Sequence, residues 1–348
     1  MVHPFLSHGV YAMNNLLEVK NLSISFGNGQ RSLEVVSGVS FSVERGKILA
    51  LVGESGCGKS ASCLALTGLL PVPQASYHAD GIFFDLNGTP VDLQNRTASR
   101  KNRIRGGHIA YIFQEPTASL NPVMRIGDQI DEVLKLHRPG LQDRKSEIIS
   151  LLNQVGITGS ESRISAYPHE LSGGMQQRVM IAMALAGNPE LLIADEPTTA
   201  LDVTVQSQIL ELLDKLRKER QMAVILISHN LGVVARLADR IAVMYAGRIV
   251  ESGSTEEILF SPAHPYTKAL LAAIPVPGGS GERLKTIPGF VPPPDKFPAG
   301  CRFYGRCTVS EGLPEQELLR CRDEIPESCT ISGCHTVCCH CFPAGENE

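Results

Sequence analysis

The chain has 348 residues, 43% hydrophobic and 20% charged, which allows one large globular domain or two smaller ones. Its 32 Lys and Arg against 36 Asp and Glu give a formal net charge of -4, without the basic excess of a dedicated nucleic-acid binder. The longest apolar runs are strand-length, far below the ~18 residues of a membrane span. Residues 1–11 lack the basic start and apolar core of a secretory signal, so a cytosolic chain with a peripheral membrane role is expected. The start could lie at Met1 or at Met13, because the strand pattern begins just after Met13.

Leu16 to Phe26 and Leu33 to Val43 alternate apolar with polar residues, as half-buried strands do. Ile48 to Val52 is continuously apolar and reads as a strand buried on both faces. A glycine-rich turn and a helix from Lys59 to Leu70 follow, then strands at Ile82 to Leu86 and Ile109 to Phe113. Ile126 to Leu136 and Lys145 to Val155 carry apolar residues at helix spacing, inside a helical insertion over about 115–175. Gln176 to Ala186 and Val205 to Arg217 read as helices. Leu191 to Ala194 and Ala223 to Ile227 read as strands, and Ile241 to Glu251 as a hairpin about Ala246-Gly247. This alternation predicts an α/β core.

After about Pro262 the composition shifts. Pro275, Pro277, Gly278, Gly279, Pro288 and Pro292 to Pro294 argue against regular helices or long central strands there. Eight of the 10 cysteines follow: Cys301, Cys307, Cys321, Cys329, Cys334, Cys338, Cys339 and Cys341. In a cytosolic protein such a group suggests a metal or iron–sulfur site more than disulfides. The predicted organisation is an extension over 1–14, an α/β domain over 15–260 and a Cys-rich, loop-rich module over 261–348.

Gly53-Glu54-Ser55-Gly56-Cys57-Gly58-Lys59-Ser60 fits G-x-x-x-x-G-K-[ST] between a buried strand and a helix. Gly53, Ser55, Gly56, Cys57 and Gly58 would turn backbone N–H groups onto phosphate oxygens. Lys59 would reach the β- and γ-phosphates, and the Ser60 hydroxyl would bind Mg²⁺. The apolar strand ending in Asp195-Glu196 supplies a carboxylate for the Mg²⁺ shell and a second one, Glu196, to polarise a water for in-line attack.

With Leu171-Ser172-Gly173-Gly174-Met175-Gln176-Gln177 between these two motifs, the chain resembles the ATP-binding subunits of ABC transporters. The resemblance covers about residues 15–255 and extends through the tail. It implies an ABC-type P-loop nucleotide-binding domain whose ATP lies between two such domains packed head to tail. Ser172 and Gly174 would then serve the nucleotide of another chain. It further implies that Phe26 stacks on adenine, that Gln114 touches Mg²⁺ and water, that His229 contacts the γ-phosphate and that Ala200-Leu201-Asp202 crosses the dimer interface.

Phe113-Gln114-Glu115-Pro116, Ser119-Leu120-Asn121-Pro122, Tyr167-Pro168-His169-Glu170, His264-Pro265-Tyr266-Thr267 and the cysteine tail resemble the di/oligopeptide and nickel importer branch. The implied function is ATP hydrolysis that energises peptide uptake, with nickel, glutathione or opine-like solutes as alternatives. A soluble ABC ATPase acting on ribosomes or DNA is a weaker reading. The implied partners are a second, homologous ATPase subunit, two transmembrane permease subunits and an external solute-binding protein, without nucleic acid. The implied location is the cytoplasmic face of the inner membrane. In the tail, the resemblance points to Cys301, Cys307, Cys321 and Cys339 as ligands of a 4Fe–4S cluster or Zn²⁺, with the fourth place also open to Cys329, Cys334, Cys338 or Cys341. Reduced, partly buried thiols are the bland alternative.

Overall fold

A computed structural model describes residues 15–28, 31–94, 103–199, 201–274 and 286–342. The expected 1–14 extension, Ala200 and Pro275, Pro277, Gly278 and Gly279 lie outside the described residues.

One sheet is antiparallel and built from β1 (Asn15–Asn28), β2 (Arg31–Glu44), β4 (Ala75–His78), β5 (Gly81–Leu86) and β6 (Thr89–Asp92). Its order is β2-β1-β5-β6, with β4 also paired to β1. The second sheet is mixed. Its parallel heart contains β3 (Ile48–Val52), β7 (Ile109–Ile112), β8 (Leu191–Asp195), β9 (Ala223–Ile227) and β10 (Arg240–Tyr245). β11 (Arg248–Ser254) turns back antiparallel on β10, and the tail hairpin β12 (Ser328–Ser332) and β13 (His335–Cys338) adds to its far side. The full order is β12-β13-β11-β10-β3-β9-β8-β7.

All residues of β3, β8 and β9 are buried, which explains why these strands read as continuous apolar runs and not as alternation. Leu49, Leu51, Leu191, Ile193, Ile225 and Ile227 point into a core shared with the antiparallel sheet and α1 (Lys59–Thr67). Ile48, Leu192, Ala194, Val224 and Leu226 point to the opposite core. That core is closed by α3 (Ile126–His137), α4 (Arg144–Gln154), α6 (Gly173–Ala186) and α7 (Val203–Arg220), while the short α2 (Pro116–Ser119) and α5 (Ser160–Arg163) link the helices before α6.

The segment after Pro262 departs from expectation. It holds the helix α10 (Pro265–Ala272), the helix α11 (Glu315–Asp323) and the β12–β13 hairpin, after α8 (Leu231–Leu237) and α9 (Thr255–Phe260). Pro265 does not break α10 because it occupies the first helical turn, where its missing N–H has no intrahelical partner anyway, and His264 Nδ1 caps the helix by accepting from Tyr266 N at 3.0 Å. β13 is recruited through a buried carboxylate. Glu251, on β11 and 1% exposed, accepts from Ala263 N at 2.6 Å and His264 N at 3.0 Å, and its Oε1 lies 2.7 Å from His335 Nε2. A carboxylate taken out of water needs such partners, so one side chain fixes three segments together. Phe303, 2% exposed, then plugs the tail against the Tyr245, Tyr266 and His264 rings.

Candidate active site

The functional side chains sit at the carboxyl ends of the parallel strands. The loop after β3 winds through Gly53, Gly56 and Gly58 at φ values of 147°, 77° and 100°, and α1 begins at once with Lys59. Gly53 is obligatory for a second reason. A Cβ there would stand 2.1 Å from the Met244 carbonyl oxygen on β10. The turn therefore lies flat on the sheet and leaves its N–H groups at the start of a helix, where an anion is favoured.

Lys59, 5% exposed, folds back over this loop, donating to the carbonyls of Gly53 and Glu54 at 2.9 Å each. Cys57 is fully buried beneath it, and burial pushes its thiol up. Ser60 Oγ donates to Asp195 Oδ1 at 3.0 Å, while Tyr111 OH donates to Asp195 Oδ2 at 2.7 Å. Burial raises the Asp195 carboxyl, and these two hydroxyl donors act against that rise. A hydroxyl and a carboxylate at hydrogen-bond distance form a hard-oxygen pair suited to Mg²⁺.

Glu196 lies one residue beyond β8, at a φ of 46°. Only a residue held from several sides keeps this left-handed conformation. Its main-chain N donates to Ile227 O at 3.0 Å, Thr199 Oγ1 and Gln114 Nε2 donate to Oε2 at 2.9 and 3.1 Å, and His229 Nδ1 is 3.2 Å from Oε1. Phe26, Ser55, Gly56, Gly58, Lys59, Ser60, Gln114, Glu196 and His229 all line one open cavity of about 510 Å³. Gly53 and Cys57 do not line it, and Asp195 is reached through Ser60.

Ser172 and Gly174 do not line this cavity. Ser172 caps α6 by accepting from Met175 N at 3.4 Å, and Asp202 caps α7 by accepting from Val205 N at 2.9 Å. Within one chain both helix starts are thus separate from the Lys59 cavity. Tyr167 to Glu170 folds as a tight turn closed by Glu170 Oε2, which accepts from Tyr167 N at 2.7 Å. Gln176 Nε2 donates to Pro168 O at 2.8 Å and ties this turn to α6.

Four contributors escape the sequence reading. Tyr111 was visible only as a hydroxyl on an otherwise apolar strand, and Thr199 as one polar residue among several after Glu196. Tyr266 was visible only as part of the His264–Thr267 motif, and its OH accepts from the Glu54 main-chain N at 2.9 Å. Arg306 pairs with the Glu54 carboxylate at 3.0 and 3.1 Å from 252 residues away, a contact that no local pattern announces.

The tail thiols form a second group. Burial first, then neighbouring Cys321 and Cys307, raise Cys301 to about 11. Burial, then Cys341 and Cys301, raise Cys339 to about 12. Cys307 and Cys321 both feel Cys341. Five sulfurs thus share one neighbourhood. Among the described residues, however, no three His, Cys, Asp or Glu side chains come together as a group that could hold a metal ion, so the four-cysteine site is not assembled as the sequence suggested. Cys329 and Cys338 lie instead on the β12–β13 pair.

The ABC transporter family pattern matches residues 36–199, and the pattern for the oligopeptide/dipeptide transporter C-terminal region matches residues 250–312. The chain is 45% identical over 326 residues to the dipeptide transport ATP-binding protein DppD of Escherichia coli (strain K12), covering 93% of this chain and 96% of that protein. It is 48% identical to the oligopeptide transport ATP-binding protein OppD of Bacillus subtilis (strain 168), covering 88% and 85%. It is also 50% identical to a putative peptide import ATP-binding protein of Brucella abortus (strain 2308), covering 91% and 97%. Among solved structures, the dimeric bacterial ABC transporter cassette MJ0796 superposes with a TM-score of 0.58 at 25% identity, covering 69% of this chain and 98% of that one. With a phosphate loop, a carboxylate pair and a capped Ser172 helix in place on this fold, and relatives matched along nearly their whole length, the chain belongs to the ABC transporter family of ATP-binding proteins.

Proposed function

We propose that the chain is the ATP-binding and ATP-hydrolysing subunit of an importer for di- or oligopeptides. The observation that carries the chemistry is the Glu196 carboxylate, held by Gln114, Thr199 and His229 on the rim of the cavity that Lys59 and Ser60 line. The peptide assignment rests on likeness to dipeptide and oligopeptide transport proteins over nearly the whole chain.

In this reading the backbone N–H groups of residues 53–60 receive the phosphates. Lys59 exchanges the Gly53 and Glu54 carbonyls for phosphate oxygens, which offer its ammonium a stronger, charge-assisted partner. Ser60, Asp195 and Gln114 would hold Mg²⁺, which neutralises charge on the β- and γ-phosphates. Glu196 accepts the proton of the attacking water, Gln114 and His229 orient that water and the γ-phosphate, and Phe26 offers a ring to adenine. Ser172 and Gly174 act on the nucleotide of a second, homologous ATPase subunit. Their separation from the cavity of their own chain supports that arrangement.

Among the described residues no helix is long and apolar enough to cross a membrane. Two permease subunits therefore supply the path in this proposal, with an external solute-binding protein delivering peptide and this chain peripheral on the cytoplasmic face. Exposed Phe113, Val123 and Leu136, on or beside the 115–175 insertion, suit a permease loop. The cysteine tail, within the proposed 261–348 module, is the place for a cysteine-ligated 4Fe–4S cluster. The match of residues 250–312 to the oligopeptide/dipeptide transporter C-terminal region supports it, and iron, acid-labile sulfide and zinc measured on anaerobically purified protein test it. Reconstitution with its permease and binding protein tests the function. ATP-dependent uptake of a labelled dipeptide is expected, and Lys59→Ala should abolish it. Uptake that persists with Lys59→Ala would refute the proposal.

A further inference from the structure

Glu54 places a carboxylate in the loop that would receive a tetra-anionic substrate. It is the second residue of the phosphate loop, and its own carbonyl accepts from Lys59. An unpaired carboxylate here would repel the phosphates and compete with them for the Lys59 ammonium. The tail removes that problem. Arg306 Nη1 and Nη2 donate to Glu54 Oε1 and Oε2 at 3.0 and 3.1 Å, the parallel two-bond geometry that fixes a carboxylate in direction as well as charge.

Arg306 is itself held from every side. Its side chain is 8% exposed, its guanidinium lies 5.7 Å from the Tyr245 ring centre, and Nε donates to Pro288 O at 2.7 Å. Tyr266, on α10, accepts from the Glu54 N–H, so loop, helix and tail meet at one residue.

We infer that Arg306 is a positioning residue for ATP binding: by pairing with Glu54 it holds the phosphate loop open to phosphate and cancels the one negative charge the loop carries. The tail is on this account a part of the nucleotide site, and because Arg306 immediately precedes Cys307, the order of the tail around its thiols and the geometry of the loop are linked. The inference rests on the reading of residues 53–60 as the ATP site.

The test is Mg·ATP binding to the purified full chain, by calorimetry, for four variants. Arg306→Gln should weaken binding about tenfold, because it leaves Glu54 charged and unpaired. Glu54→Gln alone is the baseline of the cycle, because it removes the negative charge while leaving Arg306 without its carboxylate. The double variant Arg306→Gln/Glu54→Gln should recover most of the lost affinity, since no charge then needs cancelling. In the assembled transporter Arg306→Gln should raise KM for ATP while leaving kcat within about twofold, because Arg306 touches no reacting atom. Parental affinity in Arg306→Gln would overturn the inference, as would a double variant as weak as Arg306→Gln, which would make Arg306 a packing residue only. Lys59→Ala separates the two levels. If it binds ATP normally, the loop is not the ATP site and the underlying reading fails instead.

Discussion

Around Lys59 the functional side chains stand at or just beyond the ends of buried strands, whereas around Cys301 they leave loops, one helix and a hairpin. The strands β3, β8 and β9 are buried along their whole length, and their register is fixed by parallel neighbours on both sides. The tail's own core is small, built from Ala263, Cys329, Val337 and Cys339, and it leans on Phe303 and on the buried Glu251–His335 pair to join the rest. A site on strand ends inherits the rigidity of a large core. A site in the tail depends on a few long-range contacts, each of which can be lost singly.

The sharpest contrast lies in chemistry. Glu196→Gln keeps the side chain's size and its bonds from Thr199 and Gln114 but removes the proposed base. ATP turnover in the assembled transporter should fall on the order of 10²–10⁴-fold while ATP binding stays. Substitutions confined to the tail should not approach this loss in kcat. Turnover near the parental rate in Glu196→Gln would place the base elsewhere.

The tail can be broken from the other side. Phe303 is 2% exposed among the Tyr245, Tyr266 and His264 rings, so Phe303→Ala removes an aromatic plug and leaves a cavity. A loss of about 3–5 kcal/mol is expected, concentrated in the tail. Limited proteolysis should cut beyond residue 286 while residues 15–274 stay intact. Uniform loss of protection across the chain would show that the two regions unfold together and would erase the contrast.

The same contrast governs what the sequence discloses. The phosphate loop, the Asp195-Glu196 strand end and the Ser172 helix start each depend on neighbours within a few residues, so their residues carry the pattern locally. The cavity that gathers Lys59, Gln114, Glu196 and His229 follows once the parallel strand order is assumed. Glu54 with Arg306, Glu251 with His335 and β11 with β13 are pairings across 252, 84 and about 85 residues, and neither partner has a local signature. Pro275, Pro277, Pro288 and Pro292 to Pro294 suggested irregular chain for the whole tail, but the helices Pro265–Ala272 and Glu315–Asp323 lie before and after that stretch, and Pro265 sits at a helix start, where proline is well tolerated. The cysteine tail is legible to the same partial extent. Cysteine spacing is legible, but where the sulfurs stand relative to one another is a long-range property.

A smaller effect tests how firmly the strand ends hold their groups. Tyr111 donates to Asp195 Oδ2 at 2.7 Å, and Tyr111→Phe deletes that donor with little change of shape. The carboxylate loses one of its two side-chain donors and swings more freely. The Mg²⁺ concentration that half-saturates ATPase activity should rise several-fold, with a stability cost of about 1–2 kcal/mol. An unchanged Mg²⁺ requirement would mean that Ser60 and the backbone orient Asp195 unaided.

The mildest test returns to the tail's anchor and uses pH. His264 is buried, caps α10 with Nδ1, and is pushed down to about 3, by burial first and by the charge of Lys268 second. In the unfolded chain its ring titrates near 6.5, so between about pH 6.5 and 3 the unfolded state binds a proton that the folded state refuses. Stability from this group therefore rises with pH across that window, and acidification from pH 7 to 5.5 should cost about 1 kcal/mol through His264 alone. His264→Asn keeps an acceptor at the cap position but has nothing to titrate. The difference in unfolding free energy between the parent and His264→Asn should accordingly shrink as pH falls from 7 to 5.5, read from urea denaturation at each pH. A constant difference would show that the ring is solvated in the native protein, and that the junction between α10, Phe303 and the tail opens far more readily than the strand ends around Lys59.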